Sequence, residues 1–137
     1  MTVSFHTMSY PTARLVWHCT YFCLFSSSNG QPDGGNYHEY LFLKLNGEKR
    51  ETSKSLENQV SVILTDSFKG WKTWMEQNKQ GLDCTVNIRR EGSRIIMQTE
   101  NAGVILNSVT TLPDDAKDVY LSLTGDQCAI SNIRIKR

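Results

Sequence analysis

Apolar and polar residues alternate with a period of two along most of this chain, which is the pattern of β-strands. Segment 17–25 is the strongest, because it is apolar and aromatic on both faces and predicts a fully buried strand. Segment 60–64 predicts a short buried strand, whereas the polar and charged segment 48–58 predicts an exposed loop. Nine segments carry this pattern, 2–8 only weakly, and about eight strands are predicted from them: 2–8, 17–25, 39–45, 60–64, 84–90, 94–100, 103–110, 119–123 and 129–135.

One segment, 67–79, changes to the period of an α-helix. Asp66 or Ser67 can accept the first free backbone N–H groups as an N-cap, and Gly81 is a typical helix stop. The sequence therefore predicts one short helix in a strand-rich chain. The residues that would face the core at helical spacing are Phe68, Trp71, Trp74, Met75 and Asn78.

A β-hairpin is predicted for the two segments that flank Glu91-Gly92. If these two residues form the loop, Ile88 lies opposite Ile95, and one face of the hairpin is apolar. The other face is polar and would point to solvent, as a half-buried antiparallel sheet requires. This polar face carries Thr85, Asn87, Arg89, Arg94 and Gln98, and Asn107 of the next strand can be added to it.

Successive strands without intervening helices favour an all-β fold, an antiparallel β-sandwich of jelly-roll type. The last segment changes parity between Ile130 and Ile133, which predicts a β-bulge near Ser131-Asn132. A chain of 137 residues suffices for one sandwich, so residues 1–137 are predicted to form a single domain.

The formal net charge of +1 and the lack of a long apolar run argue against nucleic-acid and membrane partners. The first residues, Met-Thr-Val-Ser-Phe-His, have neither the basic nor the apolar part of a signal peptide. The chain is then either intracellular or a module cut from a longer secreted chain. Because one sandwich fills its length, we expect a monomeric module of a secreted or cell-surface protein.

The four cysteines do not predict a disulfide framework. Cys19 and Cys23 lie in one strand, which puts their Cα atoms about 13 Å apart, too far for a disulfide. Cys84 and Cys128 can pair only if their strands are neighbours. Buried free thiols are the commoner role.

Motifs that carry catalysis are absent: the chain has no His-Glu-x-x-His, no Gly-x-Ser-x-Gly and no phosphate loop. His18 and the cysteine after it point to opposite faces of a strand, which argues against a zinc site. Asp114-Asp115 with Asp118 could bind calcium, although a solvated turn is the commoner role. We therefore expect no enzyme and no cofactor, with a structural calcium ion left open.

Two sets of residues are candidates for binding a ligand. Trp and Tyr offer a flat apolar face with a polar edge, which suits the C–H face and hydroxyl rim of a sugar ring. Tyr37 and Tyr40 can equally serve the core or a site, whereas Trp71 and Trp74, three apart on a short helix, more often anchor a helix to a core. The second set consists of the amide and guanidinium groups of the polar hairpin face, which can bind hydroxyls or carboxylates: Asn87, Arg89, Arg94 and Gln98.

Several stretches of the chain resemble the β-sandwich carbohydrate-binding modules of secreted bacterial polysaccharide-degrading enzymes. Where these modules carry an aromatic loop, the chain reads Asn-Gly-Glu-Lys-Arg at 46–50. The resemblance implies a non-catalytic domain joined to a glycoside hydrolase or lyase. It rests on Trp17-His18, Tyr21-Phe22, Tyr37-x-Glu39-Tyr40-x-x-Leu43, Trp71-x-x-Trp74, Gly81, 84–90, 94–100, 118–123 and 130–135.

The expected function is therefore that of a carbohydrate-binding module for a plant cell-wall polysaccharide. A β-glucan or related hemicellulose comes first. Acidic pectin comes second, because basic residues cluster at 44–54 and 89–94. The alternatives are a protein-interaction or structural β-sandwich module of a secreted multidomain protein and, third, a small hydrolase or lyase on the same fold.

Overall fold

The structure, a computed structural model, describes residues 1–50, 57–113 and 118–137. Within these residues a six-stranded and a four-stranded antiparallel sheet form an all-β sandwich with one short helix, which confirms the predicted fold class. No helix in this part of the chain is long and apolar enough to cross a membrane. The elements are β1 (Thr2–Ser9), β2 (Thr20–Ser26), β3 (His38–Lys44), β4 (Lys49–Arg50), β5 (Glu57–Leu64), α1 (Trp71–Gln80), β6 (Leu82–Glu91), β7 (Arg94–Asn101), β8 (Val104–Thr111), β9 (Tyr120–Gly125) and β10 (Cys128–Lys136).

The six-stranded sheet has the order β10-β1-β6-β7-β8-β5, and the four-stranded sheet has the order β4-β3-β2-β9. The core lies between them: Phe5 of β1 meets Phe22 of β2 edge to face, with ring centroids 6.0 Å apart. Buried hydroxyls of Thr7 and Thr20 also meet across this gap, at 2.6 Å. Because side chains alternate along a strand, the residues between these inward positions form two outer sheet surfaces.

Helix α1 begins at Trp71, four residues later than predicted. Its N-cap is Gly70, with a φ of 99°, and not Asp66 or Ser67. The prediction was wrong because the preceding residues form a turn of their own, in which the Phe68 N–H donates to the Thr65 carbonyl at 3.0 Å.

Helix α1 closes one end of the sandwich. Trp74 is 1% exposed, and its indole N–H donates to Oδ1 of Asn101, at the end of β7, at 2.8 Å. The same Asn101 donates to the carbonyl of Leu45, just after β3, at 3.4 Å. The predicted stop at Gly81 is confirmed.

The hairpin of β6 and β7 turns at Gly92-Ser93, one residue later than predicted. Gly92 has a φ of 60° at the first loop position, where a type II′ turn places glycine. Ile88 consequently lies opposite Met97 and not Ile95, so the predicted register was wrong by two residues. A shift of two leaves every side chain on its predicted face.

β5 is an edge strand and is not buried, contrary to the prediction for 60–64. The four-stranded sheet is too narrow to cover the edge of the larger sheet, which leaves Val62, Ile63 and Leu64 more than 40% exposed. The predicted loop 48–58 contains β4 and the first residues of β5, and its residues 51–56 lie outside the described part of the chain.

The predicted bulge in the last strand is confirmed. Along the β1–β10 pair, the partner of Ser4 is Arg134, whereas the partner of His6 is Ser131. The extra residue is accommodated at Asn132, which has a φ of 53°.

All four cysteines are free thiols. Cys84 and Cys128 do not lie on neighbouring strands, because β6 and β10 pair with opposite sides of β1. Burial raises the pKa of Cys19 and Cys84 to about 12, so both thiols stay protonated at neutral pH.

Candidate functional site

A row of polar side chains crosses the outer surface of the six-stranded sheet. Neighbouring strands are about 4.8 Å apart, so the row repeats at that interval over about 19 Å. The residues are in register: Thr2 pairs with Asn87, Asn87 with Gln98, Gln98 with Asn107, and Asn107 with Ser61. We call this set the amide row; in order it consists of Thr2, Asn87, Gln98, Asn107 and Ser61.

Hydrogen bonds within the amide row orient one of its amides. The hydroxyl of Thr2 donates to Oδ1 of Asn87 at 3.0 Å, which leaves the Nδ2 group of Asn87 as an outward donor. Asn87 and Gln98 are both exposed. A carboxamide offers a donor and an acceptor side by side, which is what a sugar hydroxyl needs.

Two shallow grooves lie along this surface, and Asn87 and Gln98 line both. The larger has a volume of about 390 Å³, with Asp83, Thr85 and Glu100 on its other sides. The smaller, of about 230 Å³, extends towards Thr2 and Arg89. The surface is therefore concave at the centre of the amide row.

The predicted polar hairpin residues divide between the centre and the rim of this surface. Asn87 and Gln98 are cross-strand neighbours at its centre, and Arg89 lies next along β6, opposite Ile96. Arg89 is held by Glu91, with Nε 2.9 Å from Oε1. Arg94 lies at the end of the sheet and lines neither groove.

The aromatic residues lie mostly on the opposite surface, the outer face of the four-stranded sheet. Phe25 stacks between Tyr37 and Tyr120, with centroid distances of 5.5 and 5.7 Å. Tyr21 meets Phe42 edge to face at 5.2 Å. We call this set the aromatic strip: Trp17, Tyr21, Phe25, Tyr37, Phe42 and Tyr120.

Other side chains of the protein already cover much of the aromatic strip. The ammonium of Lys44 lies 6.0 Å from the centroid of Trp17, and the guanidinium of Arg50 lies 4.1 Å from that of Phe42. Arg50 is itself held by Glu39 through two hydrogen bonds, and this pairing raises its pKa. Trp17 and Tyr37 remain 38% exposed, which gives the strip two separate exposed rings.

Two of the predicted aromatic site residues belong to the core. Tyr40 is 3% exposed, with its hydroxyl 2.9 Å from that of Ser26, and Trp74 is 1% exposed. Each of these residues could serve either the core or a binding site. The structure shows both in the core, where their rings fill space between the sheets or beneath the helix. Tyr40 and Trp74 therefore drop out of the candidate site.

The other two predicted aromatic residues are far apart. Tyr37 precedes β3, whereas Trp71 lies on α1, which packs beside the residues that follow β3. The Trp71 ring is used locally, edge to face with Phe68 and Trp74 at 4.9 and 5.4 Å. The predicted aromatic set consequently forms no common platform.

The hydroxyl of Tyr37 has a partner within the protein, and its ring is partly exposed. Its Oη lies 3.4 Å from Sγ of Cys23. Desolvation raises the pKa of both groups, so both are neutral at physiological pH. Tyr37 can therefore offer a ring face and not a charge.

Two members of the amide row, Thr2 and Ser61, were not among the predicted residues, because both lie in strands that are weakly patterned. Polar residues at alternate positions of 2–8 and 57–64 were the available signal. Asn107 lies on the polar face, where the sequence allowed it to be placed.

No metal-binding cluster is found in residues 1–50, 57–113 and 118–137. In these residues no three His, Cys, Asp or Glu side chains come close enough together to hold an ion. His18 is used structurally, since its Nδ1 accepts the backbone N–H of Arg14 at 3.0 Å. Asp114 and Asp115, the possible calcium ligands, lie outside the described residues.

Comparisons with protein-family models, with curated proteins and with solved structures found no match to this chain. The two outer surfaces therefore remain as the candidate binding sites. The amide row is open, concave and polar, whereas the aromatic strip is largely covered by its own neighbours.

Proposed function

We propose that this protein is a non-catalytic carbohydrate-binding module that holds a plant cell-wall polysaccharide along the amide row. The observation that carries this proposal is the register that sets three amides and two hydroxyls side by side across five strands. A sugar chain laid across the strands meets a new hydrogen-bonding group about every 4.8 Å. Such a chain can lie in the grooves that Asn87 and Gln98 line.

The charges around the amide row favour a neutral glycan. The carboxylates of Asp83 and Glu100 line the larger groove, and among residues 1–50, 57–113 and 118–137 no lysine or arginine does so. Arg89, which lines the smaller groove, is already paired with Glu91. A uronate would face these carboxylates, so a β-glucan or related hemicellulose ranks before pectin.

The proposed role is to keep a parent glycoside hydrolase or lyase close to its substrate. A tethered binding module raises the effective concentration of substrate at the catalytic domain without catalysing anything itself. This role places the protein outside the cell or on its surface, as part of a longer chain.

Affinity electrophoresis against β-glucans, xyloglucan, mannans, xylan and pectin tests the binding. We expect retardation in gels that contain a neutral β-glucan or hemicellulose, and no release of reducing ends from it. Retardation by none of these glycans would refute the proposal, and release of reducing ends would show an enzyme.

Variants then test where the glycan binds. N87A/Q98A removes two exposed amides from the amide row, which should weaken binding at least about tenfold if each hydrogen bond contributes about 1 kcal/mol. Q80A removes an exposed amide at the end of α1, and W17A removes an exposed ring of the aromatic strip. Both should bind as the wild type does. Loss of binding in W17A alone would place the ligand on the other sheet.

A second candidate function, a protein-interaction module, is favoured by one observation. The edge strand β5 exposes three consecutive apolar residues, Val62, Ile63 and Leu64. Edge strands with unpaired backbone groups are templates for pairing with another chain. A shift of the protein in size-exclusion chromatography when a partner protein is added, without glycan binding, would favour this function over the first.

A further inference from the structure

The two grooves on the outer surface of the six-stranded sheet lie in one line. Both follow the boundary between β6 and β7, and they meet at the pair of Asn87 and Gln98. From this pair the larger groove runs along β6 to Asp83, and the smaller groove runs the opposite way to Arg89. A strand rises about 3.4 Å per residue, so the distance from Asp83 to Arg89 is about 20 Å. Together the grooves form a channel that is parallel to the strands.

This channel crosses the amide row. The members of the amide row are cross-strand partners, so the row runs perpendicular to the strands and to the channel. Among the described residues, the larger groove shares only Asn87 and Gln98 with the row. An unbranched sugar chain can follow one of these two directions. A ligand that occupies both has to branch at Asn87 and Gln98.

The lengths of the side chains explain the larger groove. On β6 the short side chains of Asp83 and Thr85 point outwards, whereas on β7 the longer side chains of Gln98 and Glu100 do so. The groove lies above the short side chains of β6 and beside the longer ones of β7. Ile105 of β8, the cross-strand partner of Glu100, completes the lining.

The size and chemistry of the larger groove suit a sugar residue. Its volume of about 390 Å³ lies within the range of about 300–1,000 Å³ that is typical of small-molecule sites, whereas the 230 Å³ of the smaller groove does not. The carboxylates of Asp83 and Glu100 can accept hydrogen bonds from sugar hydroxyls, and such bonds are stronger than those to neutral acceptors. Nδ1 of His6 donates to Oδ1 of Asp83 at 2.9 Å and so orients this carboxylate. Ile105 offers an apolar contact to the C–H groups of a sugar ring.

The larger groove also lies far from the undescribed residues of the chain. On the six-stranded sheet, the chain enters those residues next to Glu57 of β5 and shortly after Thr111 of β8, and these two residues pair with each other. Thr111 also pairs with Arg94, which lies six residues, or about 20 Å, from Glu100 along β7. The length of the sheet therefore separates the larger groove from these points.

We propose that the protein binds a branched neutral polysaccharide, with the backbone along the amide row and a branch sugar in the larger groove. This inference rests on the proposed function and narrows its ligand to a hemicellulose that carries short side chains of neutral sugars. The branch point lies at Asn87 and Gln98, where the two directions cross. A uronate as the branch sugar is disfavoured, because its carboxylate would be repelled by Asp83 and Glu100.

Isothermal titration calorimetry with matched oligosaccharides tests the branch. One pair is cellotetraose and the xyloglucan oligosaccharide that carries xylose branches on the same backbone. A second pair is an unbranched and a galactose-branched manno-oligosaccharide of equal backbone length. In the pair whose backbone the protein binds, the branched ligand should bind at least about tenfold more tightly, as expected for one or two additional hydrogen bonds.

Variants locate the branch sugar. E100A removes an acceptor from the larger groove and should reduce the preference for the branched ligand. T85Y, whose ring fills the groove, should abolish it. N107A changes the amide row outside both grooves, so it should weaken both ligands and keep the preference. E76A removes an exposed carboxylate of α1 and should bind as the wild type does. Circular dichroism confirms that each variant is folded.

Equal affinity for the branched and unbranched ligands would overturn this inference and leave the proposed function standing. A preference that persists in T85Y, or one that is lost in N107A, would overturn it too. Binding of none of these ligands and of no polysaccharide would refute the proposed function itself, and the inference with it.

The charge of the branch is tested with a xylan oligosaccharide that carries a glucuronate branch. It should bind no more tightly than the unbranched xylan oligosaccharide, because the groove carries two carboxylates. Tighter binding of the glucuronate ligand would overturn the assignment of a neutral branch sugar to the larger groove.

Discussion

At the scale of single residues, the bond between Trp74 and Asn101 links the helix to the sheet. Both side chains are buried, at 1% and 4% exposed. The indole N–H donates to Oδ1 of Asn101 at 2.8 Å, and Nδ2 of Asn101 reaches the Leu45 carbonyl. One amide therefore connects α1, β7 and the residue after β3.

W74F should destabilise the protein by about 2 kcal/mol or more, because it leaves a buried carbonyl oxygen without its donor and removes apolar volume. W71F makes the same change on the half-exposed neighbour and should cost much less. Urea unfolding of both variants measures the difference. Equal losses would show that the hydrogen bond contributes little.

The buried thiols make stability fall at alkaline pH. The pKa of Cys84 is about 12 in the folded protein against 9.0 in an exposed thiol, so the unfolded chain loses its proton first as the pH rises. The stability that this group contributes is complete below pH 9 and is lost between pH 9 and 12, by at most about 1.4 kcal/mol per pH unit. C84A should unfold with a smaller loss over that range, as followed by urea unfolding at several pH values. A pH profile identical to that of the wild type would contradict the assignment.

Sequence alone could place the polar residues better than the aromatic ones. Alternation along a strand fixes the face of a side chain, and Asn87 and Gln98 were assigned to the outer surface even though the register was wrong. Aromatic residues serve cores and sites equally well, and nothing in the pattern separates Tyr40 from Tyr37. Whether a ring is covered depends on how the two sheets pack together, and the sequence pattern does not contain that packing.

At the scale of elements, two tight turns set the register of β6, β7 and β8. Gly92-Ser93 joins the first pair and Ala102-Gly103 joins the second. Ala102 and Gly103 both have positive φ values, of 46° and 85°, as a type I′ turn requires. This second turn docks on the loop before α1.

G103A should be far more destabilising than G92A. A Cβ at Gly103 would lie 2.4 Å from the backbone nitrogen of Phe68, whereas a Cβ at Gly92 would meet nothing within 4 Å. Both changes place alanine at a positive φ, which costs about 1–2 kcal/mol, so their difference isolates the steric clash. Thermal unfolding of both variants measures it, and equal midpoints would contradict the close approach.

Element boundaries were less predictable than element types. The helix was found, but its start was placed too early because Ser67 resembles a capping residue and Phe68 continues the apolar spacing. In the structure these residues form the separate turn on which Gly103 rests. That tertiary contact decides the boundary, and the local sequence does not contain it.

At the scale of the whole molecule, the sandwich separates two kinds of chemistry. Amides and hydroxyls cross the outer surface of the larger sheet, while aromatic rings with their own cations cover the smaller one. The near-zero net charge conceals this division and also the pairing of Arg89 and Arg50 with carboxylates.

Glycan binding should depend little on salt. If the ligand is neutral and lies on the amide row, raising the salt from low to physiological concentration should change the affinity by less than about twofold. Isothermal titration calorimetry at several salt concentrations measures this. Steep weakening would instead indicate an acidic glycan held by Arg89 and Arg94.

The most direct test of the central claim is an NMR titration of the protein with the neutral oligosaccharide that corresponds to its best polysaccharide. The side-chain amide signals of Asn87, Gln98 and Asn107 should shift together with the backbone signals around them, while the indole signal of Trp17 stays unchanged. Shifts confined to Trp17, Tyr37 and the rest of the aromatic strip, or no shifts with any glycan, would contradict the account.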